Sequence, residues 1–190
     1  KFIYSIYETT LLNQLDTKEL PQHIGLIHDG HRRYAREKGL LSYEVSYRIG
    51  INTFKECLSW CNELNINHIT SWLLSKENLN RPNEELDPYY KVIEELFNDF
   101  TTSDTFDNYK IRFIGSRELL PETITNTIDK VESIRVTGEK ELTIALGYGG
   151  RQEILDAIKS LLEEKYPASK SSKELVEEIT DEEIRKHLYS

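Results

Sequence analysis

The sequence predicts an α/β fold: a central, mainly parallel β-sheet flanked by helices. Three observations predict it. Four short runs, residues 23–27, 67–74, 110–115 and 141–146, are rich in β-branched and other bulky apolar side chains. Segments with helical spacing of apolar residues separate them, so successive strands need crossovers, and crossovers favour parallel, right-handed connections. The residues after three of the strands (Asp29-Gly30, Ser75 to Pro82 and Gly147 to Arg151) carry the polar chemistry. That places them together at the carboxyl ends of the strands, where such folds bind ligands.

Each element has its own warrant. Phe2, Ile3, Ile6, Tyr7, Leu11 and Leu15 recur at helical spacing and predict an amphipathic helix; the scarcity of lysine favours docking on the body over the alternative of a membrane-surface helix. Residues 23–27 read as a strand covered on both faces. Asp29-Gly30 makes a turn, His31 begins a helix, and Gly39 stops it. A connection over 40–47 leads to a helix over 48–64, with Ile51, Phe54, Leu58 and Cys61 on one face. After the second strand, Pro82 breaks the chain, and a helix over 84–100 turns Tyr90, Ile93, Phe97 and Phe100 inward. Residues 101–108 form a polar loop. Pro121 opens a helix at its first position, with Ile124, Ile128 and Val131 on one side. A helix over 151–165, a small polar linker over 168–172 and a Thr180-x-x-Glu183 capping box complete the chain.

Composition limits the function. A chain of 190 residues suits one domain with a sizeable core. A formal charge of −9 argues against nucleic acid as a bulk partner. No apolar run approaches the ~20 residues of a membrane span and no signal peptide is visible, so a cytoplasmic protein is expected, at most peripheral to a membrane. Cys57 and Cys61, four apart on a helix, read as reduced core thiols. There is no Walker A sequence, no Asp-Asp-x-x-Asp and no zinc spacing. His23, His68 and His187 stand alone.

The stretch from Pro21 to Gly39 organises the rest. A strand, an Asp-Gly turn and a basic helix set free amides beside Arg32 and Arg33, whose planar forks suit phosphate oxygens. Asp29 beside them makes chemical sense when a divalent cation links it to the same phosphates. The residues allow a plainer reading too, with Asp29 as a helix cap and the arginines as solvated surface.

His23, then His28-Asp29-Gly30-His31-Arg32-Arg33-Tyr34-Ala35, resembles the signature H-x-x-x-x-M-D-G-N-x-R-[WY]-A of the cis-prenyltransferases, the family of undecaprenyl diphosphate synthase. Ser75-Lys76-Glu77-Asn78-Leu79-Asn80-Arg81-Pro82 and Leu146-Gly147-Tyr148-Gly149-Gly150-Arg151 follow in the family's order, and the likeness runs from about residue 4 to 190. The resemblance implies an undecaprenyl diphosphate synthase-like fold. It also implies Mg²⁺-dependent condensation of an allylic prenyl diphosphate with isopentenyl diphosphate to a Z-polyprenyl diphosphate, in a homodimer or heteromer. Carried over by resemblance, Asp29 holds Mg²⁺ and assists departure of the diphosphate, and Asn78 sits near the condensing carbons. Gly30, His31, Arg32, Arg33, Tyr47, Ser75 and Arg81 bind substrate. The prenyl tail would lie along Phe54, Leu58, Leu86, Tyr90, Ile93 and Phe97, positions that core packing explains equally well.

The chain also departs from the pattern. His28 replaces Met, His31 replaces Asn, Tyr47 replaces a phosphate-contacting His, an arginine expected near Ser42 is missing, and Leu79 replaces an aromatic. The sequence lacks methionine and stops before the family's Arg-x-Ser-Gly-Glu segment, so a single domain lacking its C-terminal segment is expected. These differences keep two alternatives open: an atypical member that couples short allylic units or hydrolyses a prenyl diphosphate, and a non-catalytic subunit of a heteromer.

Overall fold

Four parallel strands form the sheet: β1 (His23–Ile27), β2 (His68–Ser75), β3 (Tyr109–Ile114) and β4 (Lys140–Tyr148), in the order β1-β2-β4-β3. The computed structural model describes residues 7, 9–11, 14–15, 19–165 and 179–189. The helices are α1 (His31–Glu37), α2 (Tyr43–Glu63), α3 (Asn83–Thr102), α4 (Glu122–Ile134), α5 (Gly150–Lys165) and α6 (Asp181–His187). The parallel α/β architecture is the one the sequence predicts.

The core lies where the predicted apolar faces meet. Ile51, Phe54, Leu58 and Cys61 of α2, Ile93, Phe97 and Phe100 of α3, and Ile124, Ile128 and Val131 of α4 are all buried with β2, β3 and β4. Each such side chain contributes roughly 1.5–3 kcal/mol by leaving water. Phe97 meets Phe113 edge-on at 4.8 Å, and Phe100 meets Phe106 at 4.7 Å. Arg135 latches the far end: its guanidinium donates to the carbonyls of Phe100 and Ser103 and pairs with Asp107. Thr180 caps α6 by accepting the Glu183 amide, as the capping box predicts.

Several expectations need correction. β1 is an edge strand with only half-buried residues on one face and exposed ones on the other; Ile27 is 73% exposed. Its apolar composition suggested cover on both sides, but only β2 pairs with it among the described residues. α2 starts at Tyr43, not Arg48, because extended Ser42 occupies the N-cap position and Glu44 in the first turn pairs with Arg48. Tyr47 therefore lies inside a helix. Tyr7, Leu11 and Leu15 are exposed and do not join the core, while Phe2, Ile3, Ile6 and the linker over 168–172 fall outside the described residues. Residues 101–108 contain a 3₁₀ turn, Asp104–Phe106, that buries Phe106. Pro121 is the N-cap of α4 rather than its first residue. Cys61 is buried but Cys57 only partly so.

At the carboxyl end of the sheet, β3 and β4 touch backbone to backbone. Gly115 and Gly147 have φ of +123° and +63°, and a Cβ on Gly115 would stand 2.1 Å from the Leu146 carbonyl oxygen. The Ser116 amide donates to the Gly147 carbonyl at 3.3 Å, and the Lys76 amide to the Tyr148 carbonyl at 3.0 Å.

Candidate active site

The chain leaves β1 at Ile27, turns through His28, Asp29 and Gly30, and enters α1. Gly30 has φ +98°, a left-handed conformation in which an L side chain is strained. Its amide donates to the carboxylate of Asp29 at 2.6 Å, and Arg33, one turn into α1, donates to the other oxygen at 2.9 Å. The Asp29 side chain is nonetheless 79% exposed, so a ligand can reach it.

This turn divides two clefts. The first, about 580 Å³, is lined by Asp29, Gly30, His31, Arg32, Arg33, Tyr47, Ser75, Asn78 and Arg81, together with Ile27, His28, Arg36, Trp72, Leu73 and Tyr89. Every site residue read from the sequence is thus gathered around one cavity. The β1–α1 turn supplies Asp29 and Gly30, α1 supplies His31, Arg32 and Arg33, α2 supplies Tyr47, the end of β2 supplies Ser75, and the 3₁₀ turn Glu77–Asn80 with its C-cap supplies Asn78 and Arg81. Ser75 Oγ accepts the Asn78 amide at 3.2 Å, and the Asn78 side-chain oxygen accepts from Arg81 at 2.7 Å. Arg32 faces Glu85 of α3 at 3.4 Å.

The second cleft, about 770 Å³, shares Ile27 to His31 and Arg33 with the first and continues over Leu26, Tyr34, Glu37, Ser46, Ile49, Gly50, Thr53, Phe54 and Cys57. It is the more apolar of the two. Of the six side chains expected along a prenyl tail, only Phe54 lines it. Leu58, Leu86, Ile93 and Phe97 are closed core, and Tyr90 packs half-buried against that core, because the apolar face of α3 zips onto α2, α4 and the sheet.

Two imidazoles flank Asp29. His28 meets Ser71 Oγ at 2.8 Å and Phe54 edge-on at 4.9 Å, and burial, helped by nearby His31, pulls its pKa down to about 4. His31 is also held below the usual range by burial. Its ring lies over Gly50, where a Cβ would stand 2.1 Å from Cε1. Both rings are therefore neutral at physiological pH. Tyr47 is 2% exposed and touches His31 and Tyr89 edge-on. Its hydroxyl and the indole nitrogen of Trp72 are buried without a hydrogen-bond partner among the described residues. Burial pushes the Tyr47 phenol up from its ordinary pKa.

The sequence reading missed Arg36, Trp72 and Tyr89 as lining residues. Arg36 had a signal, lying one helical turn beyond Arg32 and Arg33. Trp72 precedes Ser75 near the end of β2. Tyr89 had none, since its ring is core and only its hydroxyl reveals the position, donating to the Leu73 carbonyl at 2.6 Å.

The profile of the prenyltransferase family described as undecaprenyl diphosphate synthase matches residues 27–190. An isoprenyl transferase of Thermus thermophilus is 38% identical over 99% of this chain and 72% of its own length. The chain belongs to the undecaprenyl diphosphate synthase family. It is a prenyltransferase. A tritrans,polycis-undecaprenyl-diphosphate synthase (geranylgeranyl-diphosphate specific) of Methanopyrus kandleri is 36% identical over 100% of the chain and 69% of its own length. Among solved structures, lavandulyl diphosphate synthase from Lavandula x intermedia, in complex with dimethylallyl diphosphate, superimposes with a TM-score of 0.77 at 26% identity, over 88% of this chain and 70% of that one. No helix of this prenyltransferase is long and apolar enough to cross a membrane, among the described residues.

The described residues contain no group of three or more His, Cys, Asp or Glu placed to hold a metal. Among the described residues, Asp29 is the one carboxylate lining the first cleft. That donor set suits Mg²⁺, which takes one or two carboxylates together with substrate phosphates and water instead of a protein cage.

Proposed function

We propose that this prenyltransferase condenses an allylic prenyl diphosphate with isopentenyl diphosphate to a Z-polyprenyl diphosphate, using Mg²⁺ held by Asp29. The observation that carries the reading is the pairing of clefts across one turn. An arginine-lined cleft suited to diphosphate adjoins a more apolar cleft suited to hydrocarbon, with Asp29 and Gly30 between them.

In the reaction, the allylic C–O bond breaks and its electron pair leaves with the diphosphate. The π electrons of isopentenyl diphosphate then form the new C–C bond, and a proton leaves the adjacent carbon as the Z double bond closes. The bound metal would supply charge neutralisation to the departing diphosphate. Arg33, freed from Asp29, donates its fork to phosphate oxygens, and Arg32, with the backbone at Gly30 and His31, holds the same group. Tyr47 contributes a hydroxyl donor without a charge. Ser75 and Arg81 hold Asn78 in place beside the reacting carbons. The side chains of Phe54, Ile49 and Leu26 keep water from the tail. We include pairing of two copies, which light scattering tests directly.

The test is to incubate the protein with farnesyl diphosphate, labelled isopentenyl diphosphate and Mg²⁺, with and without Asp29→Ala, and to analyse the extracted lipid. A labelled polyprenyl product that disappears in the variant supports the reading. A folded protein that yields no product, or only a short coupled product, sinks elongation as its activity.

A further inference from the structure

Among the described residues, four arginines line the first cleft: Arg32, Arg33, Arg36 and Arg81. Three are engaged there by another side chain. Arg32 pairs with Glu85 at 3.4 Å, Arg33 with Asp29 at 2.9 Å, and Arg81 donates to the Asn78 oxygen at 2.7 Å. Arg36 differs. Its Nε donates to the Arg32 carbonyl at 3.3 Å, which folds the side chain back along α1 toward the Asp29 turn. Its two terminal nitrogens have no partner among the described residues.

That difference orders the events of binding. A phosphate approaching Arg33 meets the Asp29 carboxylate on the same guanidinium, and like charge repels it until a cation neutralises Asp29. At Arg32 it competes with Glu85. At Arg36 it displaces only water, and the free planar fork matches two phosphate oxygens. Because the chain is acidic overall, at −9, long-range attraction does not bring a diphosphate in; a local cation must.

We propose that Arg36 is the capture residue for the substrate's diphosphate, binding it independently of metal before Asp29 and Arg33 are rearranged around Mg²⁺. This rests on the reading of the first cleft as a diphosphate site. The plain alternative for Arg36 is a helix-end cation that complements the dipole of α1, a role that makes no demand on ligand.

Calorimetry with inorganic pyrophosphate separates these, with excess EDTA in one arm and Mg²⁺ in the other. The unaltered protein binds in both arms, more tightly with Mg²⁺. Arg36→Gln loses about tenfold in affinity in the EDTA arm, the size of one charge-assisted fork. Arg33→Gln loses its affinity chiefly in the Mg²⁺ arm. Arg36→Lys restores part of the loss. Lys38→Gln removes the same charge from the end of α1 outside the cleft and leaves binding unchanged. Thermal melts of Arg36→Gln coincide with those of the parent, since no side-chain partner is lost. Metal-free affinity within twofold of the parent in Arg36→Gln overturns the capture role, as does an equal loss in Lys38→Gln. A parent that binds only with Mg²⁺ overturns it as well, while leaving the diphosphate site standing. Absence of binding in both arms removes the site itself.

Discussion

Acidification provides a sharp test of how His28 is buried. Its ring sits against Ser71 and Phe54, and its pKa falls from 6.5 to about 4. Between those values the unfolded chain takes up a proton that the folded chain refuses. Stability from this group is therefore intact above about pH 7 and is lost as pH falls through 6.5 toward 4. Integrating the difference from pH 7 to pH 5 gives a loss of about 2 kcal/mol attributable to His28. The assay is urea unfolding followed by circular dichroism at both pH values, for the parent and for His28→Met, which fills a similar volume without a titrating group. Carboxylates that do not touch His28 titrate in both proteins and cancel in the comparison, and a His31→Asn background removes the coupled imidazole. The variant should lose about 2 kcal/mol less than the parent between pH 7 and pH 5. Equal losses would show that His28 accepts its proton in the folded state and that the burial argument is wrong.

Other substitutions probe different parts of the structure. Gly50→Ala gains roughly 1 kcal/mol in helix propensity but drives a methyl into the His31 ring, so net destabilisation of about 1–2 kcal/mol is expected, and His31→Ala should relieve it in a double-mutant cycle. Tyr47→Phe removes a buried hydroxyl that lacks a partner, so its melting temperature should match or exceed the parent's while its pyrophosphate affinity drops; a clear fall in melting temperature would mean the hydroxyl is satisfied after all. Arg135→Ala strips three donors from the carbonyls of Phe100 and Ser103 and from Asp107, and should lower unfolding free energy by about 3 kcal/mol in chemical denaturation.

Much of this was legible in the sequence because the signals are local. The apolar spacing of Ile124, Ile128 and Val131, or of Phe54, Leu58 and Cys61, identifies core faces without knowledge of partners. The Asp29-Gly30 turn and the Ser75 to Arg81 segment could be placed at strand ends for the same reason, and the cleft follows from the parallel topology. What failed depends on neighbours. The composition of β1 does not reveal that it lies at an edge, and nothing local distinguishes Leu58 or Phe97 as core from the same residues lining a tunnel. α2 starts earlier than its apolar spacing shows, because the Ser42 N-cap position and the Glu44–Arg48 pair, not buried apolar residues, mark its first turn. Arg36 escaped notice because its significance lies in the partners its neighbours have and it lacks.

The close backbone contact between the ends of β3 and β4 has a consequence for how this scaffold can change. Outside the cleft lining, the ends of β3 and β4 are main chain pressed on main chain, where a Cβ on Gly115 would collide with the Leu146 carbonyl and the amides of Ser116 and Lys76 bond to the end of β4. One wall of the cleft, the seven-residue α1, is instead fastened to its surroundings by side chains: Ser46 to the His31 carbonyl, the His31 ring over Gly50, Arg33 to Asp29. Side-chain fastenings can be exchanged one residue at a time without disturbing the sheet. Of the polar departures of this chain, His31 lies on that wall, Tyr47 on α2 beside it, and His28 in the turn that leads into α1. Substitutions on the α1 wall can therefore reshape the cleft while the ends of β3 and β4 stay in place.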